Sequence, residues 1–229
     1  GVRIGLVDSG VSTTAPFASA ILEQRGFAAP TAIPGAHGDA VAALLVGRGG
    51  AELVVADIYG GTPTGGASSA LARALSWLSH QETPVINISL VGPRNRIVEA
   101  VVAQLIARGF TIVAAVGNDG PAAPPLFPAS YPGVVGVTGV DARERVLIEA
   151  SRGPQVDFAA LGIVNGTGLR GTSFAAPIVG RRLADLISTP DPSAARRAQE
   201  SLRGEAQDLG ARGRDDTYGD GFVNAAGSN

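Results

Sequence analysis

The sequence contains no cysteine and no lysine, and only two histidines. Without cysteine there is no disulfide framework, no thiolate nucleophile and no zinc or iron-sulfur site built on sulfur ligands. The two histidines, His37 and His80, lie far apart in the chain and lack the paired spacing of a zinc hydrolase. We therefore expect no metal site and no cofactor.

A strong charge of either sign is also missing. The formal net charge is -2 at pH 7, and the arginines are scattered rather than gathered in a stripe, so neither nucleic acid nor an anionic membrane surface is indicated. No apolar run approaches the length of a transmembrane helix, and the chain opens on a strand-like segment rather than a signal peptide, as expected for a mature or trimmed domain. The absence of cysteine is compatible with either side of a membrane.

Two hydrophobic patterns alternate along the chain. Short runs rich in Val and Ile predict strands, and apolar residues three and four positions apart predict helices between them. Continuously apolar strands are typical of burial on both faces, so we expect an α/β fold: a doubly wound, mostly parallel sheet with helices on both faces. With no internal repeat and no linker, residues 1–229 are expected to form a single domain. The predicted strands are 2–7, 52–58, 85–89, 111–116 and 134–140, with shorter strand-like pieces over 146–164; the predicted helices are 37–46, 67–79, 96–108, 174–188 and 193–203.

Four polar motifs lie at the ends of predicted strands or at the starts of predicted helices, where functional residues of parallel α/β sheets collect. Asp8 ends the first strand and Asn118 follows the strand at 111–116, while His37 opens one helix and Ser173 precedes another. Pro177 predicts a kinked or delayed start of that last helix. Each motif alone has an ordinary interpretation as a turn, a helix start or an N-cap. Their joint occurrence in one order points instead to a shared site.

These motifs resemble those of the subtilisin-like serine proteases, the subtilases, over nearly the whole chain. The Asp, His, Ser order is the subtilisin order. The resemblance implies a compact member without the usual calcium loop, since Val46 leads through residues 47–50 directly to the next strand, and the acids at 215, 216 and 220 lack EF-hand spacing. The matching segments are Asp-Ser-Gly-Val at 8–11, His-Gly at 37–38, Ala-Ala-Val-Gly-Asn-Asp-Gly at 114–120, Phe-Pro-Ala-Ser-Tyr-Pro at 127–132, Gly-Thr-Ser-Phe-Ala-Ala-Pro at 171–177 and Tyr-Gly-Asp-Gly-Phe-Val-Asn at 218–224.

The resemblance implies a hydrolase, a serine endopeptidase that cleaves peptide bonds through an acyl-enzyme. Asp8, His37 and Ser173 would form the catalytic triad, and Asn118 would donate to the oxyanion. The substrate would be an extended peptide or protein bound as an added strand. A secreted or periplasmic location and an N-terminal propeptide that inhibits the domain are further implications. The implied substrate-binding residues are Thr64, Gly65, Gly66, Ala67, Ser68, Ser89, Leu90, Val91, Gly92, Ala115, Val116, Gly117 and Leu126.

Several positions depart from the family pattern. Asp39 follows the histidine motif where the family has a hydroxyl residue; we interpret it as a favourable acid in the first helical turn, with a raised pKa of His37 as the alternative. Val91 replaces a glycine of the substrate wall. Leu126 stands where the family often has a small residue at the floor of the S1 pocket, which predicts a preference for small or medium P1 side chains. Asp119 at the pocket rim favours a basic P1 residue instead.

Particular residues bear on two other functions, nucleotide binding and peptide binding without catalysis. The glycine-rich segment 60–66 lies between a strand and a helix, but its spacing is not that of a dinucleotide site, and a phosphate loop requires lysine, which this chain lacks. The remaining alternative is a catalytically weak or inactive subtilase scaffold that acts as a peptide-binding module, which the departures at Asp39 and Val91 allow. The intact triad and oxyanion residues favour an enzyme.

Overall fold

The structure of this protein is a computed structural model that describes residues 1–225. Its helices include no segment long and apolar enough to cross a bilayer within that range. The single domain over 1–229 stays a prediction, because its last four residues lie outside the described residues. The strands are β1 (Val2–Asp8), β2 (Ile21–Gly26), β3 (Ala51–Asp57), β4 (Val85–Ile88), β5 (Thr111–Ala115), β6 (Val135–Val140) and β7 (Phe158–Leu161). The α-helices are α1 (Ala36–Val46), α2 (Ser68–Leu78), α3 (Arg96–Ala107), α4 (Thr172–Ala184) and α5 (Pro192–Glu205).

The seven strands lie in one sheet in the order β2-β3-β1-β4-β5-β6-β7, and every neighbouring pair is parallel. The chain therefore starts inside the sheet, builds one side with β2 and β3, and then crosses β1 to build the other side. In such sheets a crevice forms outside the carboxyl ends of the strands where the direction of winding changes, which here are β1 and β4. The predicted doubly wound, parallel α/β fold is confirmed.

Different helices cover the two faces of the sheet, because successive strand residues point to opposite sides. In β1, Ile4 and Leu6 face the layer of α1, α4 and α5, whereas Val7 faces the layer of α2 and α3. All three side chains are fully buried. Burial on both faces explains why the strands are continuously apolar in sequence.

The same alternation places the candidate site. Asp8 is the last residue of β1 and has the parity of Ile4 and Leu6, so its carboxylate lies on the face covered by α1 and α4. Those two helices carry His37 and Ser173, and they pack against each other. Three residues remote in sequence therefore converge at the carboxyl end of β1.

Three details differ from the sequence predictions. Strand β2 was not predicted, because it lies at the edge of the sheet, where none of its residues is fully buried and it carries the polar run Glu-Gln-Arg at 23–25. Of the strand-like pieces over 146–164, Phe158–Leu161 joins the sheet. Helix α4 begins at Thr172 with Pro177 inside it, so of the two predicted alternatives, a kinked or a delayed start, the delayed start is wrong. A proline removes the donor of only one helical hydrogen bond, so a single substitute donor allows the earlier start.

An arginine from α4 caps the carboxyl end of α1. Arg181 donates from Nη1 to the carbonyls of Leu45 and Val46 at 3.1 and 2.8 Å, and from Nη2 to the carbonyl of Gly49 at 3.0 Å. A helix end leaves carbonyls without partners and carries the negative end of the helix dipole, so the guanidinium compensates both. The resemblance implies that the usual calcium loop is missing from the segment after α1. In this chain the guanidinium of Arg181 binds the carbonyl groups of that segment.

We expect Arg181→Ala to lower the free energy of unfolding by about 2 to 4 kcal/mol, because three carbonyls lose one charged, mostly buried donor. Urea denaturation measures the loss. Arg182→Ala is the matched control: this neighbouring arginine pairs with the surface residue Glu205, and its removal should cost less than about 1 kcal/mol. Equal losses in the two variants would contradict the capping role.

Candidate active site

Asp8 and His37 are joined directly at the carboxyl end of β1. Both carboxylate oxygens of Asp8 lie 2.9 Å from Nδ1 of His37. Asp8 is fully buried and also accepts a hydrogen bond from the backbone N–H of Ser9 at 2.7 Å. A carboxylate needs a donor, so Nδ1 carries the ring proton and the lone pair of the neutral imidazole is on Nε2. The ring is therefore oriented as a base whose proton-accepting nitrogen points away from Asp8.

The glycine after the histidine is required by close packing. The backbone N–H of Gly38 donates to Oγ of Ser9 at 3.0 Å, which anchors the first turn of α1 to the end of β1. A Cβ atom at Gly38 would lie only 2.4 Å from that same Oγ. Any side chain at this position would push α1 away from β1 and separate His37 from Asp8. Steric crowding by Ser9 thus explains why glycine follows His37.

Burial and Asp8 act in opposite directions on the pKa of His37. Burial lowers this pKa, whereas the hydrogen bond to Asp8 and the negative charge of Asp8 raise it, and the net shift is upward. Asp39 is not among the groups that shift it. Its carboxylate instead accepts a hydrogen bond from the backbone N–H of Ser12 at 2.7 Å and ties the loop after β1 to the first turn of α1. The structure therefore favours a local structural role for Asp39.

Ser173 lies in the first turn of α4 and is half-buried. Its hydroxyl donates to the carbonyl oxygen of Ser89 at 3.3 Å, and within residues 1–225 no hydrogen bond joins it to His37. The first turn of α4 nevertheless lies beside His37, since the ring centroids of His37 and Phe174, the residue after Ser173, are 5.3 Å apart. Rotation about χ1 of Ser173 is the motion that would redirect the hydroxyl.

Asn118 is held over the start of α4. Its Oδ1 accepts the backbone N–H of Thr172 at 2.9 Å, so its Nδ2 must point away from that contact and remains available as a donor. The buried hydroxyl of Thr172 accepts the N–H of Gly117 at 3.2 Å and fixes the loop that carries Asn118. The motif contains this threonine, but sequence reasoning gave it no role. The N–H of Ser173 has no acceptor within the described residues and lies at the positive end of the α4 dipole.

Gly171 permits this approach. It precedes α4 with φ of 142°, in a region that side-chain-bearing residues rarely adopt. A Cβ atom there would also lie 3.3 Å from Nδ2 of Asn118. The glycine therefore lets Asn118 and the helix start come together.

Most of the residues predicted to form two substrate walls line one cavity of about 250 Å³, but Ala67 and Ser89 do not. The loop after β3 contributes Thr64, Gly65, Gly66 and Ser68, and the segment after β4 contributes Leu90 to Gly92. Within the described residues, the backbone groups of Leu90 and Val91 have no internal hydrogen-bond partner, whereas Gly92 pairs with Phe127. Ala67 caps α2, and Ser89 follows the end of β4. Sequence reasoning missed Tyr59 in this lining, and its position two residues after the end of β3 was the available signal.

The predicted floor of the S1 pocket is occupied by a leucine side chain. A Cβ atom built at Gly117 would lie 2.5 Å from Cδ1 of Leu126, so Leu126 covers the backbone at this point. Ala115 and Val116 precede Gly117 at the end of β5, and both are buried. Asp119 lies exposed beside them.

The acidic residues near the carboxyl end have protein partners. Asp215 accepts the backbone N–H groups of Thr217 and Tyr218 at 2.8 and 2.7 Å, and Asp220 pairs with Arg203 and Arg214. No group of three or more His, Cys, Asp or Glu side chains suited to a metal ion occurs in residues 1–225.

Residues 1–221 match the model of the subtilase family. The chain belongs to this family. The predicted resemblance is thereby confirmed, since the match includes all the motifs around Asp8, His37, Asn118 and Ser173.

The sequence identity to individual subtilases is low. The chain is 30% identical over 173 residues to subtilisin DY of Bacillus licheniformis, covering 69% of this chain and 61% of that protein. It is 29% identical over 163 residues to the minor extracellular protease Epr of Bacillus subtilis (strain 168), covering 67% of this chain but 25% of that protein. The chain therefore spans about a quarter to three fifths of the length of these relatives.

The fold is also that of solved structures. A crystal structure of a lanthipeptide protease superposes with a TM-score of 0.84, covering 97% of this chain and 86% of the other, at 19% identity. At this identity the likeness establishes the subtilase fold and nothing finer.

Proposed function

We propose that this subtilase domain is a serine endopeptidase that hydrolyses peptide bonds through an acyl-enzyme. The observation that carries the proposal is the pairing of both Asp8 carboxylate oxygens with Nδ1 of His37 at 2.9 Å, beside the helix start that holds Ser173. This pairing fixes the histidine tautomer that a general base requires. The extracellular protease among the relatives supports a secreted enzyme.

In the proposed reaction, Oγ of Ser173 attacks the scissile carbonyl carbon while Nε2 of His37 takes the hydroxyl proton. Asp8 stabilises the imidazolium that forms. His37 then gives the proton to the leaving amine as the C–N bond breaks, which leaves the acyl group on Ser173. A water molecule, deprotonated by His37, releases the acyl group and restores the hydroxyl.

Negative charge develops on the substrate carbonyl oxygen during both steps. Nδ2 of Asn118 and the N–H of Ser173 are the donors available to it at the positive end of α4. Because Thr172 holds Asn118 in place, no reorganisation is needed when the charge forms.

The substrate would be an extended peptide or protein segment that lies between the two walls as an added strand. The unpartnered backbone groups of Leu90 and Val91 support this mode, since strand addition needs free N–H and C=O groups. The glycines at 65 and 66 allow close backbone approach from the other side. A propeptide that occupies the same cleft as an inhibitor is part of the proposal.

A second candidate is a peptide-binding scaffold without turnover. The observation that favours it is the hydrogen bond from the Ser173 hydroxyl to the carbonyl of Ser89 rather than to His37. In this alternative the cleft binds peptides but the hydroxyl is not activated.

Labelling with a fluorophosphonate probe separates the two candidates, because only an activated serine reacts. We expect one label per chain, located at Ser173 by peptide mass spectrometry, and no label on Ser173→Ala. Peptide binding by a folded wild-type chain that takes up no label would favour the scaffold and refute the enzyme.

The dependence of kcat/KM on pH reports on His37. Because the base must be neutral, activity is low where His37 is protonated and rises through its pKa; that pKa is raised, so the midpoint should lie above the ordinary histidine value. Peptide hydrolysis followed from about pH 5 to 10 measures this midpoint. A midpoint below the ordinary value, or a flat profile, would contradict the prediction.

Leu126 is expected to limit the P1 residue. Leu126→Gly should open the space over Gly117 and raise kcat/KM for P1 Phe relative to P1 Ala at least about 10-fold. The reason is that the free energy gained by burying a large apolar side chain exceeds the free energy that corresponds to a tenfold change in rate. A library of peptides that vary only at P1 measures the change. A wild-type preference for P1 Arg, abolished by Asp119→Asn, would instead support the alternative based on Asp119.

A further inference from the structure

Pro177 leaves one carbonyl of α4 without a helical donor, and that carbonyl belongs to Ser173. In an α-helix the N–H of residue 177 donates to the carbonyl of residue 173. Proline has no N–H, and its ring presses against that same carbonyl. Since Pro177 lies within α4, the backbone of the candidate nucleophile requires a donor from another element.

Ser89 supplies this donor from the end of β4. Its Oγ donates to the carbonyl of Ser173 at 3.0 Å, and Nδ2 of Asn87 donates to the same Oγ at 2.8 Å. A serine hydroxyl has a single proton, so the bond from Asn87 directs that proton to Ser173. Ser89 and Asn87 are only 1% and 0% exposed, which keeps water from competing. Asn87 and Ser89 therefore form a two-residue relay that ends on the backbone of Ser173.

The amide of Asn87 has no evident purpose in the core apart from this relay. The other residues of β4 are apolar, and Oδ1 of Asn87 is buried with no hydrogen-bond partner among residues 1–225, which costs stability. Helix α4 packs directly over the amide, since a Cβ atom at Gly180 would lie 3.4 Å from Oδ1. An apolar residue would suit this position better if stability alone mattered.

We propose that Asn87 and Ser89 are positioning residues for the nucleophile. By holding the carbonyl of Ser173, their side chains set where the first turn of α4 presents its hydroxyl toward His37 and its N–H toward the oxyanion. This inference rests on the proposed function and deepens it. A displacement of about 1 Å at a reacting atom can cost about 100-fold in rate, so loss of the relay should reduce catalysis although neither side chain contacts the substrate carbonyl.

The test is a double-mutant cycle between Ser89 and Pro177. Ser89→Ala is expected to lower kcat about 10- to 100-fold with KM changed less than about threefold. Pro177→Ala restores the N–H that donates to the Ser173 carbonyl, so in that background Ser89→Ala should cost less than about threefold. Thr111→Val is the matched control: the buried hydroxyl of Thr111 has no hydrogen-bond partner in the described part of the chain and lies at the opposite end of the sheet, so kcat should stay within about twofold.

An equal loss of kcat in both backgrounds would overturn the proposal. A lower melting temperature with wild-type kcat would also overturn it, because the role would then be only structural. If Ser89→Ala does not fold, Asn87→Leu provides a second variant, which keeps the Ser89 hydroxyl but removes its orientation and should again lose kcat unless Pro177→Ala is present. Failure of the proposed function is visible separately, as a folded wild-type chain that takes up no probe, and it would overturn this proposal as well.

Discussion

Replacing His37 with alanine is expected to lower kcat about a million-fold, as much as replacing Ser173, and replacing both should cost no more than either alone. The reason is that the two side chains perform one step in the proposed mechanism: the hydroxyl cannot attack without a proton acceptor, and the imidazole has no proton to accept without the hydroxyl. Steady-state hydrolysis of a peptide ester measures kcat in the three variants. Residual activity should remain in all of them, since the proposed stabilisation of the oxyanion by Asn118 does not need either side chain.

His80→Ala is the matched control, because His80 is the other histidine of the chain. It lies exposed just after α2 and bonds the carbonyl of Ser76 at 2.8 Å, far from the crevice. Its loss should leave kcat within about twofold. Additive losses in the double variant of His37 and Ser173 would show that these residues do not act on the same proton.

Asp8→Asn is expected to lower kcat about 10,000-fold while the fold is retained. An amide at this position can donate to Nδ1 of His37, which places the ring proton on Nε2 and removes the lone pair that must accept the proton of Ser173. The carboxylate also holds the pKa of His37 up against burial, so this pKa should fall in the variant. Nitrogen-15 NMR of His37 reports both the tautomer and the pKa, and stopped-flow hydrolysis reports kcat.

Asp39→Asn is the control for charge near the histidine. Asp39 lies two residues after His37, but its carboxylate binds the N–H of Ser12. Its replacement should leave the pKa of His37 unchanged and kcat within about threefold. If Asp39→Asn lowers this pKa as much as Asp8→Asn does, the assignment of the raised pKa to Asp8 is wrong.

The hydrophobic pattern predicted most of the fold, because a strand that is buried on both faces has a continuous run of apolar residues in the sequence. The continuous apolar runs of β1 and β5 are visible within a few residues, and so are the three- and four-residue steps of α2 and α3. Strand β2 has no continuous apolar run, because an edge strand is in contact with solvent and can carry polar residues.

Predictions from neighbouring residues in the sequence failed where a hydrogen-bond partner comes from another secondary-structure element. The delayed start predicted for α4 follows from the missing N–H of Pro177, yet the helix starts at Thr172, and the Ser89 hydroxyl donates to the carbonyl of Ser173 in place of that N–H. The acid after His37 has two local interpretations, and its hydrogen bond to Ser12 decides between them.

The family was readable in the amino-acid sequence, and so were the candidates for the reactive groups, because motifs such as Gly-Thr-Ser at 171–173 are contiguous and short. Which groups meet was decided by the crossing of helices over the sheet. The contact between Asp8 and His37 joins residues 29 apart, and that between Ser89 and Ser173 joins residues 84 apart. Hydrogen bonds act over about 3 Å, so only the packed structure brings such groups within reach.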